Sequence, residues 1–222
     1  MKVCAVIPAL NEATRIAPVI RGAQKYVDTV IVVADGSTDG TPDIAREAGA
    51  LVIEHVINCG AGAATMTGLE VARQAGFDVA VTIDADGQHD PRDIPRLLKT
   101  LQEEHADLVI ANRFGQKNSI PWIRRFANFI GNVLTFTVTG LYLPDTQCGF
   151  KIFGPKALQN IDLRMSGFEF CTEIIREASR FKWRIVSVPS KVMYSEYTLA
   201  KGQSFASGLR TAAKILLRTF IR

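Results

Sequence analysis

Five short runs of β-forming residues, KVCAVIP, TVIVVAD, ALVIEHV, DVAVTID and DLVIANR, recur between residues 2 and 113, and stretches with helical punctuation separate them. Within each run the apolar residues are nearly continuous rather than alternating, so both faces of each strand need cover. Parallel strands with helices on either side meet that need, which predicts an α/β, doubly wound architecture with a mostly parallel sheet. No Pro/Ser-rich linker or low-complexity stretch divides the 222 residues, and 47% of them are hydrophobic, enough for one full core. A single domain is expected. After residue 113 the alternation stops, and helices mixed with the short strands CGFKIFG and WRIVSVPS are expected to wall the site.

The four cysteines, Cys4, Cys59, Cys148 and Cys171, form no C-x-x-C pair, and Pro8 and Glu12 break the first apolar run too early for a signal peptide. A reducing cytoplasm is the expected compartment. The net charge of +4 is mild, and no nucleic-acid partner is expected. Its distribution is uneven, because no acid follows Glu196. In residues 206–222, Arg210, Lys214, Arg218 and Arg222 recur every four positions, with Leu209, Ala213, Leu216, Leu217 and Phe220 on the apolar side. This tail is expected to be an amphipathic helix at a lipid interface, the alternative being a terminal helix docked on the domain.

Residues 126–144 carry no charge, yet Asn128, Asn132, Thr135 and Thr139 share one helical face. Phe129, Ile130, Val133, Phe136 and Val138 lie elsewhere around the helix, and that apolar side is expected to pack into the core, with a lipid surface as the alternative. No transmembrane span is expected.

The chemistry concentrates in VTIDADGQHDPRD, residues 81–93. Asp90-Pro91 reads as a helix cap followed by proline, which puts Asp84, Asp86 and Gln88 in a strand-to-helix loop. Loops at the carboxyl ends of parallel strands are where such sheets bind ligands. Two carboxylates at i and i+2 with an amide at i+4 offer hard oxygen ligands and leave coordination positions for water and phosphate, which suits Mg²⁺ or Mn²⁺ on a diphosphate. Without a cation the acids repel each other. Asp35, in VVADGSTDGT, and Pro8 with Asn11-Glu12, in IPALNEA, mark two further strand ends. Arg113, with Lys117, Arg124 and Arg125 after it, offers cations to phosphate. Asp145, Glu169 and Glu173 are candidate bases should the acceptor be a hydroxyl. For His55, His89 and His105, loop-anchoring hydrogen bonds are expected.

Taken together, IPALNE, DGSTDGT, NCGAGAA, DADGQHDP, NRF and DTQCGFKIF resemble, in order and spacing, the family 2 glycosyltransferases of the GT-A fold. The resemblance is to the dolichol-phosphate mannose synthase-like, polyprenyl-phosphate branch, and it spans about residues 1–205 as one GT-A domain. It implies metal-dependent inverting transfer of a sugar from a UDP- or GDP-sugar to a dolichyl or undecaprenyl phosphate, by a protein attached peripherally to the cytoplasmic face of a membrane. The implied metal ligands are Asp84, Asp86 and Gln88, and the implied donor contacts are Pro8, Leu10, Glu12, Val33, Asp35, Ala85 and Asp86. Arg113 and Asp145 would be catalytic, with Arg113, Arg124, Arg125 and Lys201 near the acceptor or its phosphate. The chain departs from the pattern at Ala34, where many relatives have a second Asp, at Ala61, where some have Lys, and around Lys201.

A hydroxyl acceptor is one alternative, and a non-catalytic binding domain is another. An NAD(P) site is suggested by GAGAAT at 60–65, which follows a strand and opens a helix. Thr65 at the third glycine position argues against it. A nucleotidyltransferase would carry a Gly-rich basic loop where this chain has PALNEAT.

Overall fold

The structure, a computed structural model, describes residues 1–116 and 120–193. Strands β1 (Val3–Ala9), β2 (Thr29–Asp35), β3 (Leu51–His55), β4 (Val79–Thr82), β5 (Leu108–Asn112), β6 (Lys151–Phe153) and β7 (Ile185–Pro189) form one sheet in the order β3-β2-β1-β4-β6-β5-β7. All pairings are parallel except those of β6, which runs antiparallel between β4 and β5. Helices α1 (Ile16–Ala23), α2 (Thr41–Glu47), α3 (Ala61–Gln74) and α4 (Ile94–Glu103) make the crossovers of the first half. The remaining helices are α5 (Trp122–Thr139), α6 (Pro155–Asn160) and α7 (Phe170–Arg180). The expected doubly wound sheet is present, and its five first strands occupy the predicted runs.

Strand order reverses beside β1. Strands β2 and β3 lie to one side of it and β4 to the other, so the loops after β1 and β4 diverge there and leave a crevice. Close packing of α3 on β1 depends on Gly68, where a Cβ would stand 2.3 Å from Val6 Cγ1. The loops after β1 and β2 are laced together. Asn11 N donates to Ser37 Oγ (3.1 Å), Thr38 N to Asn11 Oδ1 (2.9 Å), Ala13 N to Asp39 Oδ2 (3.1 Å) and Glu12 N to Thr41 Oγ1 (2.8 Å). Much of the polar content of these two motifs therefore shapes the rim of the crevice.

The expected burial of the apolar side of residues 126–144 is corrected by the structure. In α5 the Asn/Thr face turns inward: Asn128 and Thr135 are buried, while Phe129 is 63% exposed and Trp122 75%. Phe126, Val133 and Phe136 share that outer side. The physical reason is hydrogen bonding. Asn132 Oδ1 accepts from Thr146 N and Oγ1 (3.0 and 2.8 Å), Asn132 Nδ2 donates to Pro144 O (2.8 Å), and Thr135 and Thr172 hydroxyls meet at 3.0 Å. Polar groups that find such partners can be buried at little cost, which leaves the aromatic side outside. Among the described residues no helix is long and apolar enough to cross a membrane. Lys117, Lys201 and the basic tail lie outside the described residues.

Candidate active site

Strand β4 stops at Thr82, and the turn that follows carries Asp84, Asp86 and Gln88 to the crevice. Gly87 supplies the left-handed backbone it needs, with φ of 74°. Asp90 ends the turn as expected, its carboxylate accepting from Arg92 N at 3.0 Å above a 3-10 turn, Pro91–Asp93, that leads into α4. Gln88 bonds Asp86 twice, N to Oδ1 at 2.9 Å and Nε2 to Oδ2 at 2.7 Å, so the acid and the amide form one unit at the loop surface.

Asp84 faces inward company. Its side chain keeps 44% of its surface exposed, yet protein packed around the carboxylate and the neighbouring Asp86 raise its pKa, while His89, Lys151 and Arg113 pull it back. His89 Nε2 lies 3.7 Å from Asp84 Oδ2 and 3.7 Å from Cys148 Sγ, and the ring tilts against Phe150. Burial pushes the His89 pKa down, so the imidazole is neutral near pH 7. His89 Nδ1 is a buried polar atom without a hydrogen-bond partner, so the side chain ties the loop through Nε2 and Cys148, while its backbone bridges to Val192. His55, by contrast, bonds Asp35 and Thr67. Beneath the loop Lys151 is buried, its ammonium donating to Cys148 O.

Gly149 completes this cradle. A Cβ there would stand 2.3 Å from Asp84 Oδ1 and 2.4 Å from Oδ2, so only glycine leaves room for the carboxylate. Nothing in CGFKIF marks this glycine by spacing, because the contact is made when β6 inserts beside β4 and Thr82 Oγ1 bonds Gly149 O at 2.8 Å.

Arg113, just beyond β5, is held in a fork. Its Nε and Nη2 donate to Asp145 Oδ2 and Oδ1, both at 2.8 Å, its backbone N donates to Oδ2 at 3.0 Å, and Nη2 reaches Asn128 Oδ1 at 3.2 Å. Asp145 has no exposed side-chain surface. A carboxylate engaged by a guanidinium on both oxygens is a positioning group and a poor base. Glu173 is similarly occupied, accepting from Arg164 N, Met165 N and Arg176 Nη2 at 2.9, 2.7 and 2.8 Å. Glu169 is buried. The charge of Arg113 is felt at both Asp84 and His89, so the fork lies near the acid loop.

The other expected donor residues divide. Pro8, Leu10 and buried Glu12 lie at the end of β1 on the crevice rim, and Ala85 is buried between the two acids. Val33 is fully buried, and its Cγ2 lies 3.3 Å from where a Cβ on Gly68 would stand, so its side chain faces α3. The Asp35 carboxylate accepts from Cys59 N (2.8 Å) and Gly60 N (2.7 Å) and ties β2 to the β3–α3 loop. Arg124 and Arg125 sit in the first turn of α5, Arg125 exposed.

The donor set of Asp84, Asp86 and Gln88, all oxygen and partly open to solvent, in a cradle that a single Cβ would fill, fits a hard divalent cation. The profile of glycosyl transferase family 2 matches residues 4–162. The chain belongs to glycosyl transferase family 2.

Among relatives of this glycosyltransferase, the UDP-N-acetylglucosamine–dolichyl-phosphate N-acetylglucosaminyltransferase of Methanococcus voltae is 32% identical over 96% of this chain and 94% of its own length. The undecaprenyl-phosphate mannosyltransferase of Micrococcus luteus is 31% identical over 94% of this chain and 88% of its own. In fold the chain is similar to glucosyl-3-phosphoglycerate synthase from Mycobacterium tuberculosis, solved with Mn²⁺, UDP-glucose and phosphoglyceric acid. The TM-score is 0.75 at 21% identity, over 100% of this chain and 80% of that one.

The glycines of GAGAAT have another use in this glycosyltransferase than a dinucleotide. A Cβ on Gly60 would stand 2.3 Å from Ser166 O and one on Gly62 2.0 Å from Met165 O, and Gly62 N donates to Ser166 O at 2.7 Å. The start of α3 is thus covered by residues 165–167, where a pyrophosphate would have to lie.

Two expected results follow from this geometry. Gly149→Ala displaces the Asp84 carboxylate and lowers metal-dependent turnover by roughly 10²-fold, the scale of losing one charge-stabilising group. Its melting temperature stays close to wild type, and unchanged turnover would refute the cradle. Asp84→Asn, by contrast, is expected to raise stability. A folded-state pKa above the unfolded value means the native state holds more protons between the two, so the metal-free fold loses stability as pH rises through that window. Removing the charge therefore raises the thermal midpoint in EDTA near pH 7 and flattens its pH dependence, while metal binding is lost.

Proposed function

We propose that this glycosyltransferase moves a sugar from a nucleoside-diphosphate sugar, UDP- or GDP-linked, to a polyprenyl phosphate at a membrane surface, with inversion. The observation that carries the reading is the double life of α5: its inner face places Asn128 on Arg113, while its outer face presents Trp122, Phe126, Phe129, Val133 and Phe136. One helix thus joins a phosphate-binding cation to an apolar surface, which is what a lipid with an anionic head requires. The names of the two relatives, both acting on polyprenyl phosphates, support it.

Asp84, Asp86 and Gln88 would hold Mg²⁺ or Mn²⁺, which when bound neutralises the charge on the donor diphosphate. Pro8, Leu10 and Glu12 line the donor side of the crevice, and Asp35 braces it through Cys59 and Gly60. Arg113, aligned by Asp145, holds the acceptor phosphate. A phosphate oxygen attacks the anomeric carbon, and the bond to the diphosphate oxygen breaks with its electron pair. The acceptor oxygen is already anionic, so no residue has to take a proton, in keeping with Asp145 and Glu173 both being engaged. Arg124 and Arg125 add attraction to anionic lipid, up to about 1 kcal/mol each, which supports peripheral attachment at the cytoplasmic face.

The test supplies UDP- and GDP-sugars, Mn²⁺ and either undecaprenyl or dolichyl phosphate, and follows lipid-linked sugar. Transfer to a sugar hydroxyl with none to lipid phosphate would overturn the reading. Phe126→Asp with Phe129→Asp should lower co-sedimentation with liposomes by about 10²-fold or more, since each buried ring contributes roughly 1.5–3 kcal/mol. Donor binding should persist, and full liposome binding by this variant would remove α5 from the mechanism.

A further inference from the structure

We propose that Lys151 is a positioning residue for the metal site: its buried ammonium is the fixed counter-charge that holds Asp84 and Asp86 together while no metal is bound, and it keeps a bound cation weakly held. This role rests on the reading of Asp84, Asp86 and Gln88 as metal ligands.

Lys151 is 1% exposed and stands in β6 opposite Thr82 of β4 on one side and Ile110 of β5 on the other. Thr82 is the last residue of β4, two positions before Asp84, so the lysine enters the sheet at the root of the acid loop. Its side chain turns back along the chain, and the ammonium donates to Cys148 O. That carbonyl is next to Gly149, whose missing Cβ leaves room for the Asp84 carboxylate. A second neighbour is Cys171 Sγ at 3.7 Å, but burial pushes the pKa of that thiol up, so the sulfur offers no negative charge. Among the described residues no carboxylate pairs directly with this ammonium.

An ammonium buried against a carbonyl and a neutral thiol is costly unless a charge nearby compensates it. Arg113, the other strong cation felt at Asp84, is already paired with Asp145 on both carboxylate oxygens. The charge left to balance Lys151 is that of the acid pair, and Asp84 does feel it. Without a metal, the two carboxylates repel each other, and a fixed cation beneath them offsets that repulsion. With a metal, the same ammonium repels the divalent ion through protein, where charges interact at an effective dielectric of about 20 rather than about 80. The ion is therefore held loosely enough to exchange. A transferase gains from this, because the nucleoside diphosphate must leave after each turnover and a tightly held ion would retain it.

The test is Mn²⁺ binding to the full chain at mildly alkaline pH, followed by electron paramagnetic resonance. Lys151→Met keeps the length of the side chain and removes the charge. Lys151→Gln also removes the charge but retains a donor for Cys148 O. Both should bind Mn²⁺ more tightly than the wild type, by about 10-fold or more, because the repulsion is gone. A lysine that merely packs gives the opposite sign, since a loosened cradle weakens binding. Thermal unfolding in EDTA identifies the folded variants, and unchanged or weaker binding by either folded variant would overturn the role. Failure of both to fold would make Lys151 a residue of the fold alone and overturn it equally. Asp86→Ala separates this role from the site it serves. Mn²⁺ binding that survives in Asp86→Ala would overturn the metal assignment itself, whereas binding lost there but not tightened in the Lys151 variants would overturn only the role of Lys151.

Discussion

Asp86→Ala is expected to lower sugar transfer by roughly 10³-fold while its melting temperature stays near that of the wild type, because the side chain lies on a loop and its hydrogen-bond partner is the adjacent Gln88. The loss should appear as disappearance of Mn²⁺-dependent donor binding, measured by calorimetry with and without EDTA. Asp84→Ala should behave alike in binding, with an additional disturbance where the carboxylate fills the space against Gly149. Wild-type turnover by either variant would mean that the acid pair does not hold the metal. The two acids differ in surroundings: Asp84 feels His89, Lys151 and Arg113, whereas Asp86 is paired with an amide at the surface. Metal affinity should accordingly fall with decreasing pH earlier than an ordinary aspartate would dictate, since protons compete for Asp84 at its raised pKa.

Asp145→Ala is expected to destabilise the fold by about 3–5 kcal/mol, the typical result of leaving one partner of a buried ion pair uncompensated. For a chain of this size that is a drop of roughly 6–20 °C in melting temperature. The buried carboxylate takes three donors from Arg113, so its removal leaves a largely enclosed guanidinium without its carboxylate. Arg113→Lys separates position from charge. An ammonium keeps the cation but not the fork, so transfer to lipid phosphate should fall more than donor affinity. Equal losses in both would move Arg113 to the donor. The pH–rate profile distinguishes the roles of Asp145: Asp145→Asn should lower the rate at all pH values without removing a limb, whereas loss of the acidic limb would make Asp145 a base.

Much of this was legible locally. Continuous apolar runs demand cover on both faces, so the parallel sheet and its helices were readable from the alternation, and the acids of residues 84–88 were readable as a loop because Asp90-Pro91 ends it. The family resemblance pointed to the same residues, and the family match agrees. The internal use of the polar motifs was less visible. Asn11 reads as a residue of a ligand-facing strand end, yet it bonds Ser37 and Thr38 while Asp39 bonds Thr41, since two loops at neighbouring strand ends must satisfy their own backbone groups.

By itself the amino-acid sequence determined which residues could form strands, where the strands would end, and that Asp84, Asp86 and Gln88 would stand together in the loop beyond β4, because these depend on neighbours a few positions apart. Only the tertiary structure decided three other things. Insertion of β6 beside β4 sets Gly149 against Asp84. Antiparallel pairing of β6 with β5 brings the segment before β6 to the end of β5 and sets Asp145 against Arg113, residues that share no sequence period. Helical periodicity reveals that α5 has two faces but not which of them looks inward. That was settled by the carbonyls and hydroxyls of Pro144, Thr146 and Thr172, which reward burial of the Asn/Thr side and leave the aromatic side to whatever lies outside the domain.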